Sequence, residues 1–129
     1  MNNEEKRKIY SFTDLNAWKE GHKLVLKIYS VTENFPNKEI FGLTSQIRRA
    51  AVSITSNIAE GFSRISYKDK INFYSVAQGS LTELQNQLLI ARDVKYLENK
   101  KFIDIAEQTV TVHKLINGLI KKSKQIHNS

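Results

Sequence analysis

The sequence contains no cysteine, one proline and five glycines in 129 residues. Without cysteine the chain forms no disulfide, no thiolate nucleophile and no cysteine-containing zinc site, and it suits a reducing cytoplasm. No window approaches the roughly 18 apolar residues that a membrane span requires. The polar, charged start at residues 1–8 is not followed by the apolar run of a signal peptide. We therefore expect a cytoplasmic protein with no membrane partner.

Residues typical of catalytic centres are also scarce. Histidine occurs only as His22, His113 and His127, and no glutamate stands three residues before any of them. The Glu-x-x-His pattern of a di-metal helical bundle is therefore absent, as are Gly-x-Ser-x-Gly and glycine-rich phosphate loops. Glu60 and Glu83 are conceivable as paired carboxylates, but we interpret them as ion-pair partners of arginines. The sequence predicts no enzyme activity, no metal and no cofactor.

Apolar residues recur at steps of three and four along four segments, which is the pattern of amphipathic helices. Proline, glycine and capping residues predict where each helix begins and ends. In chain order the predicted helices run from Thr13 or Asp14 to the residue before Pro36, from after Gly42 to Gly61, from the cap Ser66 to about Val94, and from the cap Asn99 to roughly Lys122. No segment alternates with period two over a useful length, so we expect no strand.

Each predicted helix carries one row of core-forming residues. The rows are Leu15, Trp18, His22, Val25, Tyr29 and Thr32; Leu43, Ile47, Ala50, Ile54 and Ile58; Tyr74, Ala77, Leu81, Leu84, Leu88 and Ala91; and Phe102, Ile105, Thr109, Val112, Ile116 and Leu119. Short connections between four such helices predict an all-α, antiparallel up-down-up-down four-helix bundle. We place it at residues 12–123, after a flexible basic segment at 1–11 and before a C-terminal tail at 124–129.

Two of the predicted helices carry more apolar residues than one row needs. The additional residues are Leu24, Ile28 and Val31 in the first helix, and Ile103, Ala106 and Val110 in the fourth. In a bundle of only four helices, a second apolar face on a helix is best explained by a neighbouring subunit that covers it. We therefore predict a homo-oligomer.

Three glycines fall inside predicted helices, where each costs about 1 kcal/mol relative to alanine. Close approach of another helix is the usual compensation, and we expect it at Gly79, beside the small residues of the second helix. For Gly21 the sequence favours no explanation. The predicted oligomer interface combines small, polar and charged residues of the second and third helices, namely Arg48, Arg49, Val52, Ser53, Ser56, Glu60, Gly79 and Glu83.

The chain is basic, with 20 Lys and Arg against 13 Asp and Glu and a formal net charge of +7. No acidic residue follows Glu107. An excess of this size attracts polyanions if it is collected on one surface, although lysines near a helix C-terminus also stabilise the helix dipole. The predicted nucleic-acid-binding residues are Arg64, Lys68, Lys70, Arg92, Lys95, Lys100, Lys101, Lys121 and Lys122. No helix-turn-helix, ribonucleoprotein or zinc-finger signature accompanies them.

A distinctive series of residues connects the chain with a known family. Its parts are Phe12-x-x-Leu15-x-x-Trp18; Phe35-Pro36-x-x-Glu39-x-Phe41-Gly42-Leu43-x-x-Gln46-x-Arg48-Arg49-Ala50-Ala51-Val52-Ser53-Ile54-x-x-Asn57-Ile58-Ala59-Glu60-Gly61; and Ala77-x-Gly79-Ser80-Leu81-x-Glu83-Leu84 with Gln87-Leu88. Over residues 12–120 the chain resembles the four-helix-bundle proteins encoded in intervening sequences of the bacterial large-subunit (23S) ribosomal RNA gene. The resemblance implies a homopentamer without an established enzymatic activity.

The same family is similar to the accessory proteins of diversity-generating retroelements. Those proteins form basic pentameric barrels that bind nucleic acid and a reverse transcriptase. This chain departs from the family pattern at residues 93–97, Asp-Val-Lys-Tyr-Leu, where a turn reading more like Leu-Gly-Tyr-Leu is common. We therefore expect a local difference in the third connection.

The sequence leaves two functions from different classes. The first is a non-enzymatic homo-oligomer, a ring-like pentamer by resemblance, whose basic surface binds RNA or DNA without strong sequence preference. The alternative is a structural or protein-interaction module whose partner is another protein, such as a reverse transcriptase. In that case the basic surface serves orientation or solubility.

Overall fold

The computed structural model describes residues 8–129, which form helices and no strand. The four α-helices are α1 (Asn16–Thr32), α2 (Leu43–Ser63), α3 (Tyr67–Asp93) and α4 (Asn99–His127), and two short 3-10 helices lie at Phe12–Asp14 and Asn37–Glu39. The all-helical class and the four helices of the bundle are thereby confirmed. The predicted flexible segment at 1–11 falls largely outside the described residues.

A capping box starts the 3-10 helix ahead of α1, whereas α1 itself begins without the side-chain cap that the sequence suggested at Thr13 or Asp14. The Ser11 hydroxyl accepts a hydrogen bond from the Thr13 amide at 3.1 Å, and the Asp14 carboxylate accepts one from the Ser11 amide at 3.1 Å. This reciprocal pair satisfies amide groups that a helix start leaves unpaired. The extended backbone of Leu15 then separates the 3-10 turn from α1, so the α-helix starts at Asn16.

Two helices continue past their predicted ends. Gly61 does not end α2, which runs to Ser63, because Gly61 keeps helical geometry and packs against the ring of Tyr74. A Cβ added to Gly61 would lie 2.6 Å from Tyr74 Cε1, so this glycine serves a close contact between helices. The fourth helix runs to His127, beyond the end predicted near Lys122, because buried Ser123 extends its core-facing row by another turn.

The core contains the predicted rows of α2, α3 and α4, but the buried face of α1 differs from the prediction. Leu24 and Ile28 are fully buried in α1, whereas Tyr29 and His22 from the predicted row are exposed. His22 instead stacks on Trp18 at the edge of the bundle, with 4.7 Å between ring centroids. The row of α1 that we assigned to a neighbouring subunit, which includes Leu24 and Ile28, therefore faces the core of the same chain.

Glycines in the helix interiors also differ from the prediction. A Cβ at Gly21 would lie 3.1 Å from Thr55 Cγ2, so α1 and α2 approach closely there. The predicted close approach of α2 to Gly79 is wrong within one protomer, because the described residues place no atom within 4 Å of a Cβ at Gly79. The same is true of Gly118. Gly79 lies on the exposed side of α3 and faces away from the core.

Polar contacts tie the helices together along their length. Ser53 of α2 and Ser80 of α3 share a hydrogen bond of 2.8 Å, and α2 and α3 have the most extensive packing of any pair. Gln85 of α3 donates to Thr109 of α4 at 3.2 Å. Gln108 of α4 donates to the carbonyl of Glu20 in α1 at 2.8 Å. These bonds fix the register of the neighbouring helices.

The connection between α3 and α4 turns through a left-handed residue. Lys95 has a φ of 70°, while the amides of Lys95 and Tyr96 bond to the carbonyls of Arg92 (3.1 Å) and Ala91 (2.9 Å). This is a Schellman motif, in which glycine is the usual left-handed residue. The Tyr96 hydroxyl then donates to Glu39 Oε2 at 2.9 Å, which joins this turn to the connection between α1 and α2.

Candidate nucleic-acid interface

One end of the bundle collects the end of α2, the start of α3 and the last turns of α4. Gly61 of α2 contacts Tyr74 of α3, and Gln78 of α3 donates to Asn117 of α4 at 2.7 Å. Later residues of α4 lie beside earlier residues of α3, so the residues after Asn117 lie beside the first turns of α3. We call this region the first basic end, and its predicted nucleic-acid-binding residues are Arg64, Lys68, Lys70, Lys121 and Lys122.

Lys70 is engaged inside the protein. Its ammonium donates to the carbonyls of Phe62 (2.6 Å) and Gly61 (3.3 Å), near the end of α2. Burial lowers the pKa of the Lys70 amine. A cation at this position adds a donor to carbonyl groups at the end of the helix, of which the Gly61 carbonyl also accepts from the Arg64 amide at 3.2 Å. Lys70 is therefore a helix-capping residue, and its charge is not displayed like that of its exposed neighbours.

Arg64 is partly engaged. It pairs with Glu60 one turn earlier at 3.0 Å, and its guanidinium lies 4.5 Å from the ring centre of Phe73. The two side chains of this ion pair are about half exposed. Exposed pairs contribute little to stability, so a phosphate can replace the Glu60 carboxylate at small cost.

Lys68, Lys121 and Lys122 are exposed and form no ion pair within the described residues. The last turn of α4 adds Lys124, Lys114 lies earlier on the same helix, and the sequence beyond Glu107 contains no carboxylate side chain to offset them. With Glu60 and Asp69 as its acidic residues, the first basic end keeps an excess of positive charge. The absence of acidic residues after Glu107 could be read from the sequence, whereas the exposure of these lysines could not.

The turn between α3 and α4, at the other end of α3, carries Arg92, Lys95, Lys100 and Lys101. Arg92 bonds to Asp93 at 2.9 Å and lies 4.7 Å from the ring centre of Phe102. We call this region the second basic end. Its lysines are exposed, but acidic residues stand among them at Asp93, Glu98 and Asp104. The second basic end therefore has a weaker excess of positive charge.

Most of the predicted oligomer-interface residues lie on one outward face of α2 and α3. Arg49, Val52, Ser56 and Glu60 follow one another at three- and four-residue steps and are exposed. The hydrogen bond between Ser53 and Ser80 joins this stripe to α3. We call this surface the α2–α3 face.

The third helix adds Gly79 and Glu83 to the α2–α3 face, and both are exposed. Glu83 accepts a hydrogen bond from Gln87 at 3.2 Å but forms no ion pair within the described residues. Arg48 belongs elsewhere, because it points toward α1 and donates to the Thr32 hydroxyl at 2.8 Å. The structure thus brings together all of these predicted residues except Arg48.

The part of the chain that the structure describes has no group of histidine and acidic residues able to hold a metal ion. Within the same residues, no helix has both the length and the apolar character needed to cross a membrane.

The four-helix fold agrees with the similarity of the chain to known proteins. A family model described as 23S rRNA-intervening sequence protein matches residues 13–118. The chain belongs to this family. It is also similar to a solved structure from Bacteroides thetaiotaomicron, a protein of unknown function from the S23 ribosomal protein family. The TM-score is 0.75 at 22% identity, over 81% of this chain and 95% of that chain. At this identity the likeness shows the fold alone, and no curated protein matches.

One surface feature of this family member has no counterpart among the sequence predictions. A groove of about 400 Å³ lies between the end of α1 and the start of α2, and its lining includes Tyr29, Thr44 and Arg48. The residues come from two helices and are separated by the connection that includes Pro36. Periodicity assigns residues to faces of one helix, so it gives no signal for a groove formed by two helix ends.

Proposed function

We propose that the protein is a non-enzymatic nucleic-acid-binding bundle that engages RNA or DNA through the first basic end without strong sequence preference. The observation that carries this proposal is the set of exposed lysines on the last turns of α4, which have no ion-pair partner among the described residues and belong to a stretch of sequence, after Glu107, that contains no acidic side chain. Lysines neutralise phosphates and release counterions regardless of base sequence.

We further propose an antiparallel up-down-up-down order of the helices and a ring of five copies of the chain. Register contacts between successive helices support the helix order. Exposed apolar side chains support assembly, including Val52 and Val76 near the α2–α3 face. A ring multiplies a weak cationic patch into a multivalent surface, which raises the apparent affinity for a long polyanion.

Charge reversal tests the nucleic-acid proposal. Wild-type binding to a structured RNA should fall linearly on a plot of log affinity against log salt, with a slope of about 0.7–0.9 per phosphate contacted. The double variant Lys121→Glu/Lys122→Glu should weaken binding and flatten this slope. The matched control Lys100→Glu/Lys101→Glu makes the same charge change at the second basic end and should have a smaller effect. Binding that is indifferent to salt, or equal effects of both variants, would contradict the proposed surface.

The second candidate, binding to another protein such as a reverse transcriptase, is favoured by a different observation. A groove of about 190 Å³ between α3 and α4 is lined largely by apolar side chains, among them Leu89, Ala106 and Val110. Apolar grooves of this kind accept side chains from partner proteins. Purification from cells before and after nuclease treatment separates the two candidates, because a protein partner survives nuclease and a partner bridged by nucleic acid does not.

A further inference from the structure

Two adjoining grooves meet where α1 ends and α2 begins. They share Ile40, Thr44 and Arg48 as lining residues. The larger groove, of about 400 Å³, is also lined by Ser45 and Arg49. The smaller one is bordered by Glu33. The larger groove contains two arginines beside apolar Ile40 and Val52, and it lies apart from the first basic end.

Arg48 is held in a fixed position within this groove. Its Nε donates to the Thr32 hydroxyl at 2.8 Å, and its guanidinium lies 4.8 Å from the ring centre of Tyr29. Thr32 in turn donates to the carbonyl of Ile28 at 2.7 Å, so the support is itself anchored. Arg48 forms no ion pair with a carboxylate of the described residues. Its two terminal nitrogens therefore present an ordered fork of donors without an acidic partner.

Thr44 supplies a second and independent observation. The residue is only 5% exposed and lines both grooves, yet its hydroxyl has no hydrogen-bond partner in the described residues. An unsatisfied buried hydroxyl is costly, and such groups are rare in folded proteins. A ligand oxygen in the groove would supply the missing partner.

The start of α2 adds further donors. The Leu43 amide is satisfied by Glu39 Oε1 at 3.1 Å, and the Gln46 amide bonds to the carbonyl of Gly42. The amides of Thr44 and Ser45 lie between these two. Among the described residues, neither donates a hydrogen bond to a backbone carbonyl outside α2. Free amides in the first turn of a helix attract anions through hydrogen bonds and the helix dipole.

We propose that this groove binds the phosphate group of a phosphate monoester, such as a nucleotide or the 5′-phosphorylated end of an RNA. The planar fork of Arg48 and the amides at the start of α2 are donors of the kind that bind phosphate oxygens in proteins, while the carboxylates of Glu33 and Glu39 offset part of the charge of Arg48 and Arg49. A volume of about 400 Å³ is within the range of small-molecule sites and leaves room for more than the phosphate itself. The proposal does not depend on binding at the first basic end.

Titration with inorganic phosphate and with adenosine 5′-monophosphate, followed by NMR shifts of the Thr44 and Ser45 amides, tests the site. Both compounds should saturate these shifts at millimolar concentration or below, and adenosine should not. Arg48→Lys keeps the charge but loses the bidentate fork, so affinity should fall about tenfold. The control Lys23→Arg, a charge-conserving change on α1 outside both proposed sites, should leave affinity unchanged.

Thr44→Val separates a ligand contact from a structural defect. Valine has the same shape without the unpaired hydroxyl, so the melting temperature should rise while phosphate affinity falls. The source of the phosphate is resolved by comparing RNA oligonucleotides that differ only in a 5′-phosphate or a 5′-hydroxyl group. The proposal is overturned if phosphate binding is absent, if Arg48→Lys and Thr44→Val bind like wild type, or if acetate competes as well as phosphate. Equal competition by acetate would indicate a carboxylate site for another protein chain.

Discussion

Lys95 has a left-handed backbone conformation in the connection between α3 and α4, and this conformation lowers the stability of the turn. Its φ of 70° is a conformation that L side chains adopt at a cost of about 1–2 kcal/mol. The motif around it is otherwise well formed, because both Schellman hydrogen bonds are present. Lysine in place of the glycine that is usual in a Schellman motif is therefore tolerated rather than favoured by the backbone.

We expect Lys95→Gly to raise the free energy of unfolding by about 1 kcal/mol, because glycine adopts a positive φ without steric strain. Urea denaturation of both proteins measures the change. Lys100→Gly is the control, since Lys100 lies in the first turn of α4 and glycine lowers helix stability there. A loss of stability in Lys95→Gly would show that the lysine side chain contributes more than the left-handed backbone costs.

Glu39 and Tyr96 form a second residue-scale feature with a measurable pKa. Hydrogen bonds from the Leu43 amide and the Tyr96 hydroxyl hold the pKa of the Glu39 carboxyl below its ordinary value of 4.5. A carboxyl with a lowered pKa in the folded state contributes stability that is fully present above its unfolded pKa. That stability is lost as the pH falls through the lower, folded pKa.

Tyr96→Phe should therefore raise the pKa of Glu39 toward its ordinary value, because one of the two hydrogen bonds to the ionised form is removed. An NMR titration of the Glu39 carboxyl carbon between acidic and neutral pH measures this shift. Tyr10→Phe removes a hydroxyl that is not bonded to Glu39 and should leave the titration unchanged. An unaltered pKa in Tyr96→Phe would mean that the bond to Tyr96 does not persist in solution.

At the scale of the elements, periodicity predicts the buried rows of α2, α3 and α4, although α4 also carries a second apolar row in which Ile103 and Val110 are about half exposed. It fails for α1, where two adjacent rows are both apolar and their hydrophobicity does not decide between them. The aromatic side chains of the predicted row, such as that of Tyr29, are large but amphipathic. They therefore lie at the edge of the core. The choice depends on how closely α2 approaches at Gly21, which is a tertiary contact.

The candidate site was predictable only in part for a similar reason. Lysine positions can be read from the sequence, but the groups that each lysine contacts depend on the ends of other helices. Lys68 and Lys70 are two residues apart, yet one is exposed and the other is bonded to the carbonyl end of α2. The groove beside Arg48 depends on the same kind of non-local contact and has no sequence signal of its own.

The capping function of Lys70 leads to a prediction at the scale of the element. Lys70→Gln should lower the free energy of unfolding by about 1 kcal/mol, because the carbonyls at the end of α2 lose a cationic donor. Lys68→Gln removes an exposed charge nearby and should change stability by less than about 0.5 kcal/mol. Chemical denaturation of both variants gives the comparison. Equal effects of the two variants would contradict the capping function.

At the scale of the whole molecule, substitution of Gly79 and of Gly118 can show whether the α2–α3 face is free or in contact with another copy of the chain. Both lie in helix interiors, and among the described residues no atom comes within 4 Å of a Cβ added at either position. Alanine should therefore stabilise an isolated protomer by about 1 kcal/mol at either site. If copies of the chain meet through the α2–α3 face, Gly79→Ala also places a methyl group in that contact.

We therefore expect Gly79→Ala to shift the mass measured by light scattering toward the single chain on dilution, whereas Gly118→Ala should retain the mass of the wild type. The comparison is internally controlled, because the two substitutions are chemically identical and occur in helices of the same bundle. Dissociation of neither variant, or of both equally, would place the contact between copies elsewhere. A wild-type mass equal to one chain would refute assembly altogether.

The buried row of α4 reaches Ser123, and this gives the lysines around it a fixed spacing. Lys114 and Lys121 are two turns apart on one side of a continuous helix, which corresponds to about 10.5 Å along its axis. Phosphates of one duplex strand advance about 3.4 Å along the axis per nucleotide, so the two amines match positions about three nucleotides apart. If the protein binds a polyanion as proposed, this rigid spacing lets α4 contact two phosphates of one strand at the same time.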